Sequence, residues 1–253
     1  GPALGGWLGA IDPRLPFWGA ATLSLLNACY GFFVLPESLP REKRAAFAWK
    51  RANPVGSLLL LRSHHELFGL ATLAFLGYLA HAVLPSIAVL YMGYRYGWDT
   101  ASVGLMLAGV GVAAMIVQGL LIRPLTARFG ERTTLLAGLL CGATGFAIYG
   151  VAPQGWIFCL GIPIMAFWGL AGPATQALMT RRVSGSEQGR LQGAMASING
   201  VTGLIGPTLF TQTFAHFIGA QAGWQLPGAP FLLAACLLLT GAGLAWRVTR
   251  SRD

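Results

Sequence analysis

His81, Gln118, Gln176, Asn199, Trp168 and Met115 are the side chains within this chain's long apolar stretches best suited to contact a solute. Each also has a plainer structural alternative. His81 sits four residues before Pro85. An ionisable ring inside a membrane is costly unless it has a role, and imidazole can carry a proton near neutral pH. The alternative is a neutral ring hydrogen-bonded to a neighbouring helix. Gln118, Gln176 and Asn199 bring carboxamides, which donate and accept and so suit the polar edge of a solute. Between membrane helices the same groups act as tethers worth ~0.6 kcal/mol each. Trp168 could stack on an aromatic or cationic ligand, or fill space in a core. Met106, Met115 and Met165 offer flexible, polarizable surface for varied ligands, or ordinary packing.

Chemistry that makes or breaks covalent bonds is not expected. The eight carboxylates (Asp12, Glu37, Glu42, Glu66, Asp99, Glu131, Glu187 and Asp253) all lie at the ends of the apolar stretches or beyond them. The chain has no nucleophile–histidine–acid set, no phosphate-cradling glycine loop and no paired carboxylate. Cys29, Cys141, Cys159 and Cys236 are too scattered for a metal site or a redox pair. No enzyme activity, cofactor or metal is therefore anticipated.

The elements that must position these residues follow from hydropathy. The chain is 55% hydrophobic and 10% charged, well below the charge content of soluble domains. Seven stretches suffice to cross a bilayer, at 16–36, 66–92, 100–122, 132–152, 156–179, 190–218 and 228–248. Residues 1–11 resemble the end of an eighth. The stretches are too long and too continuously apolar for barrel strands, so the expected class is all-α and polytopic.

Fifteen of the seventeen Lys and Arg residues fall in alternate connections or the tail, and only Arg14 and Arg95 lie on the other side. By the positive-inside rule the C-terminus is expected to be cytoplasmic, with residue 1 within the membrane. Trp18, Tyr94, Tyr96, Trp98, Trp156 and Trp224 fall near the opposite ends, as an aromatic belt requires. The net charge of +9 is explained by topology and anionic lipid rather than by nucleic acid. Beginning at Gly1-Pro2 without an initiator Met, the chain is expected to be part of a longer one.

Only the 37–65 connection is long. It is basic, punctuated by proline, and carries Val55–Leu61, a run suited to an interfacial helix. Gly1-Pro2-Ala3-Leu4 is echoed six spans later by Gly206-Pro207-Thr208-Leu209, a periodicity that suggests two repeated halves.

Gly1-Pro2-Ala3-Leu4-Gly5-Gly6 resembles the GPxxGG motif in the fifth helix of antiporters of the major facilitator superfamily. Leu35-Pro36-Glu37-Ser38-Leu39 with Asn53-Pro54 resembles the start of that superfamily's central loop. Tyr94-Arg95-Tyr96-Gly97-Trp98, Val103-Gly104-Leu105, Gln118-Gly119, Gly130-Glu131-Arg132 and Gln188-Gly189-Arg190-Leu191-Gln192-Gly193 are similar to its tetracycline-efflux branch. So is Ile205-Gly206-Pro207-Thr208-Leu209-Phe210. The turn containing Arg128 and Arg132 resembles a degraded second copy of the superfamily's loop motif, with Ala127 where the fuller motif has Asp.

The resemblance implies the major-facilitator fold. Residues 1–36 would end an N-terminal bundle (partial helix five and helix six), 37–65 would form the cytoplasmic central loop, and 66–253 would form the C-terminal six-helix bundle. It implies proton-coupled efflux of a drug-like, tetracycline-like or otherwise amphipathic solute across a bacterial inner membrane. The partners would be that solute, protons, lipid and the absent N-terminal bundle.

Helices seven, eight, ten and eleven would line the cavity. Gly1, Pro2, Gly5, Gly6, Gly206 and Pro207 would serve gating by close helix approach and bending, and Arg128 and Arg132 would form a gating or anchoring turn. Ala114 and Gly142 stand where tetracycline exporters of the family carry a His and an Asp. The resemblance thus reaches the branch and not tetracycline itself. An uncoupled or metabolite permease of the same fold, or a membrane fragment that does not transport, are the other readings. Any coupling acids are expected upstream.

Overall fold

A computed structural model describes Leu8, Asp12 and residues 14–36, 65–219 and 225–250. The motif residues Gly1, Pro2, Gly5 and Gly6, the 37–64 connection and Trp224 lie outside the described residues. Among the described residues the chain is helical and contains no strand.

The helices are α1 (Leu15–Phe33), α2 (His65–His81), α3 (Val83–Tyr96), α4 (Thr100–Ile116), α5 (Ile122–Val151), α6 (Gly155–Ala166), α7 (Ala171–Thr180), α8 (Gln188–Ile218) and α9 (Ala229–Val248). A wide π-helical turn at Val117–Leu121 joins α4 to α5, and a tight 3-10 turn at Phe167–Leu170 joins α6 to α7. α2 and α3 form one interrupted span, as do α6 and α7. Among the described residues four helical stretches, Leu67–Tyr96, Thr100–Val151, Gly155–Thr180 and Ala229–Val248, are long and apolar enough to cross a membrane. The second holds two of the expected spans. Gly130, at φ 77° and ψ 163°, breaks it in a conformation that glycine adopts without strain. Gln188–Ile218 is as long but richer in Gly, Gln, Ser and Thr.

α9 packs between α2 and α5, α8 lies against α2 and α3, and α6, α7 and the tight turn lie against α5. α1 buries none of its side chains. Small residues bring the helices together, as membrane packing demands where no water drives burial. Along one face of α5, Gly138 abuts Ala171, Gly142 abuts Trp168 and Gly145 abuts Met165. Gly206 in α8 meets Ala82 so closely that a Cβ there would overlap it, which places this glycine at the break between α2 and α3.

The connections sort into two ends. At one, Tyr96 Oη donates to the Ala152 carbonyl at 2.9 Å and Trp98 covers Gly155. At the other, Glu131 pairs with Arg181 at 2.7 Å, and Val248 lies beside Gly69. Asp99 caps α4 by accepting from the Ser102 N–H at 2.9 Å. Those Ser102 hydrogen bonds hold its carboxyl below the usual carboxylate range.

Candidate functional site

Three proline rings set up the site. A proline has no N–H for the carbonyl four residues back and crowds that carbonyl, so helices bend or change pitch one turn before it. Pro85 withholds a donor from the His81 carbonyl, where α2 stops; the neighbouring Ala82 carbonyl accepts both the Ser86 N–H at 3.3 Å and Ser86 Oγ at 2.6 Å. Pro124 withholds a donor from Leu120, in the wide turn that carries Gln118. Pro173 does the same to Gly169, in the tight turn that carries Trp168. The wide and tight turns meet: a Cβ on Gly169 would come within 3.2 Å of Gln118 Nε2.

These interrupted turns surround an open cavity of about 530 Å³, within the range of small-molecule sites. Its walls come from α2 and the start of α3 (Leu84), α4 with its wide turn, the α6–α7 span and α8, with Leu139 and Tyr149 of α5 behind; no residue of α9 lines it. The expected helices seven, eight, ten and eleven all contribute, and α5, the ninth, adds two residues that the resemblance did not imply.

His81, Gln118, Trp168, Gln176 and Asn199 all line this one cavity. The His81 ring lies 5.7 Å from that of Trp168, and Trp168 is 5.4 Å from Phe146, edge to face. Gln176 Nε2 lies 3.5 Å from Thr180 Oγ1. Asn199 accepts from Thr202 Oγ1 through its backbone carbonyl at 2.9 Å.

Met115 is not brought there. It is 72% exposed on α4, because Ala114 and Gln118 share the cavity face and the next residue along turns by about 100°. Met165 and Met195 line the cavity instead, together with Tyr78 and Thr175, which the sequence reading missed. Tyr78 was findable: it stands three residues before His81, hence on the same helix face.

The charged turn is distributed differently from a solvated arginine cluster. Arg128 is exposed and lies over Phe129 at 5.6 Å. The Arg132 guanidinium sits 4.9 Å over the Trp246 ring of α9, tying α5 to the end of the chain. The ion pair belongs to Glu131 and Arg181, bridging the base of α5 and that of α7. Pro207 lies exposed within α8, directly after the tightly packed Gly206. Among the described residues no group of three or more His, Cys, Asp or Glu could hold a metal.

Chemically the cavity offers aromatic faces, thioethers and carboxamides, and among the described residues no Lys, Arg, Asp or Glu lines it. Its aromatic faces, thioethers and carboxamides are suited to hold a solute.

The profile of the Major Facilitator Superfamily matches residues 1–207 and 70–253. The chain is 32% identical to "Tetracycline resistance protein, class C" of Escherichia coli over 96% of its length and 61% of that protein's. It is 35% identical to "Tetracycline resistance protein, class G" of Vibrio anguillarum, covering 94% of the chain and 60% of the relative. The chain thus spans less than two thirds of these curated relatives. In fold it matches the crystal structure of the human organic anion transporter MFSD10 (TETRAN), with a TM-score of 0.75 at 21% identity, covering 92% of this chain and 57% of that one.

Proposed function

The chain belongs to the major facilitator superfamily and is an integral, multi-pass membrane protein, and on that premise we propose that it forms one wall of a transporter exporting a drug-like, amphipathic solute in exchange for protons. The observation that carries this reading is the convergence of His81, Gln118, Trp168, Gln176 and Asn199 on one cavity at the interruptions of three spans. Broken helices are where backbone and side chains of secondary transporters meet their cargo. Residues 66–253 make up one bundle of the pair, 1–36 end the other, and 37–65 link them. The two rock about the cavity. Gly206 provides the close packing against Ala82 on which such movement turns, with Pro207 bending α8 beside it, and Arg128 and Arg132 anchor the basic end. That end faces the cytoplasm of a bacterial cell, with the C-terminus on the same side.

The relatives named for tetracycline resistance support the drug-like class. Ala114 and Gly142 argue against tetracycline as such, because they stand where the resembling exporters carry a His and an Asp, and an Asp at 142 would collide with Trp168 and Leu238. A second reading, an uncoupled permease of the same fold, is favoured by the absence of Asp and Glu among the described residues that line the cavity. It predicts flux that follows the solute gradient alone.

The complete protein in proteoliposomes separates the two. Export driven by an imposed pH gradient, abolished by a protonophore and weakened about ten-fold or more in Gln118→Ala, is the expected result. Flux indifferent to the pH gradient would establish the permease. No flux of any amphipathic solute under either condition would overturn both.

A further inference from the structure

We propose that Trp168 and His81 form a stacking subsite for flat aromatic solutes that carry no negative charge, with Gly142 as its seat. The proposal rests on the cavity being the solute's path and deepens that reading by assigning a ligand class to this wall.

The first observation is how firmly the indole is held. A Cβ on Gly142 would meet Trp168 Cγ at 2.7 Å and Leu238 Cδ1 at 2.8 Å. The absent side chain is therefore what lets the ring lie against the α5 backbone. Phe146 meets the indole edge to face at 5.4 Å, and the His81 imidazole stands beside it at 5.7 Å, tilted by 42°. What remains uncovered of the half-buried ring lines the cavity. An aromatic surface already fixed in place loses little freedom when a second ring stacks on it, so most of the contact appears as affinity.

The second observation is electrostatic. Among the described residues of this wall, none that lines the cavity is a Lys or Arg. The bases Arg123 and Arg181 line a separate hollow at the basic end, together with Glu131. A carboxylate or sulfonate entering an apolar cavity without a paired cation loses its hydration and regains little.

The third is where the polar groups stand. Gln118 abuts Gly169, the residue next to Trp168, so a carboxamide lies at the rim of the stacking surface. A neutral ring system with a hydrogen-bonding edge matches both features. A cationic ring is compatible through attraction to the indole face.

The matched pair anthracene-2-carboxamide and anthracene-2-carboxylate tests this by equilibrium binding to the complete protein in nanodiscs, with uptake by empty nanodiscs subtracted. The amide should bind about ten-fold tighter than the carboxylate, and Trp168→Ala should weaken the amide by a similar factor, the size of a good aromatic contact. Trp168→Phe should keep most of the affinity. Gly142→Ala should lose it, although its methyl lies behind the ring.

Equal or tighter binding of the carboxylate overturns the proposal. So does amide binding unchanged in a Trp168→Ala protein whose melting transition shows it to be folded. Selective, Trp168-dependent binding without gradient-driven transport would leave the subsite standing and remove the transport reading. Transport of other solutes, with amide binding indifferent to Trp168, would remove the subsite alone.

Discussion

The carbonyl of Tyr149 has no helical donor, because the residue four places on is Pro153, which lacks an N–H. Tyr91 supplies the missing bond from α3: its buried hydroxyl donates to that carbonyl at 2.9 Å. Around it, Tyr149 stacks on Phe158 at 4.0 Å, and Phe231 meets Tyr91 edge to face at 4.9 Å. Tyr91→Phe keeps this ring packing and removes only the donor. A buried acceptor left without a partner costs about 1–3 kcal/mol. Thermal unfolding in detergent should therefore show a clear loss, with Tyr94→Phe, at an exposed position, as the neutral comparison. An unchanged transition would mean that another donor reaches the carbonyl. Residue type alone did not reveal this pairing; tyrosines near span ends read equally well as belt residues. Nor did it separate Met115 from Met165. Helix phase did, since Ala114 and Gln118 share the cavity face and Met115 falls outside it.

At the scale of elements the spans were legible and their interruptions were not. Continuous hydropathy placed the six stretches from residue 66 onward close to where the helices lie. Hydropathy is blind to pitch, however, and the site depends on pitch. His81, Gln118 and Trp168 stand four, six and five residues before Pro85, Pro124 and Pro173, each within or beside the turn that the proline disturbs. The prolines were visible in the sequence. Their effect on neighbouring turns needed coordinates, because the same ring can kink a helix, widen it or tighten it. Pro124→Ala tests the assignment for the wide turn. It returns a donor to the Leu120 carbonyl and removes the clash that favours five residues in that turn. If the turn closes to α-helical pitch, Gln118 rotates away from Gly169 by a large fraction of the ~100° that separates successive residues. Stability should hold or rise while solute affinity falls to the level of Gln118→Ala. The double variant should be no weaker than either single one, since both remove the same contact. Additive losses would show that Pro124 acts elsewhere.

For the whole molecule, the alternation of charge along the sequence has a spatial counterpart. Arg132, Arg181 and Arg247 belong to helix ends that come together, through the Glu131–Arg181 ion pair and the Arg132–Trp246 contact. Arg95 belongs to the opposite end, where Tyr96 binds Ala152 and Trp98 covers Gly155. Short connections between antiparallel spans require this two-ended sorting, and it would hold in either orientation across a bilayer. What selects the orientation is the bias of Lys and Arg, which are retained on the cytoplasmic side. Gly97 and Ser184 stand at the two ends, and both are exposed. Gly97 has φ 66°, so a cysteine there is strained; Asp99, exposed and two residues on, caps α4. Thr100, the exposed first residue of α4, is therefore the better outer probe. In a background freed of the four native cysteines, Thr100→Cys should react with a membrane-impermeant maleimide in intact cells. Ser184→Cys should react only after the membrane is opened. The reverse pattern would invert the topology and with it the direction of transport. Labelling of both in intact cells would mean that residues 100 and 184 do not lie on opposite sides, which the packing of α4 through α7 forbids for a chain that spans the bilayer.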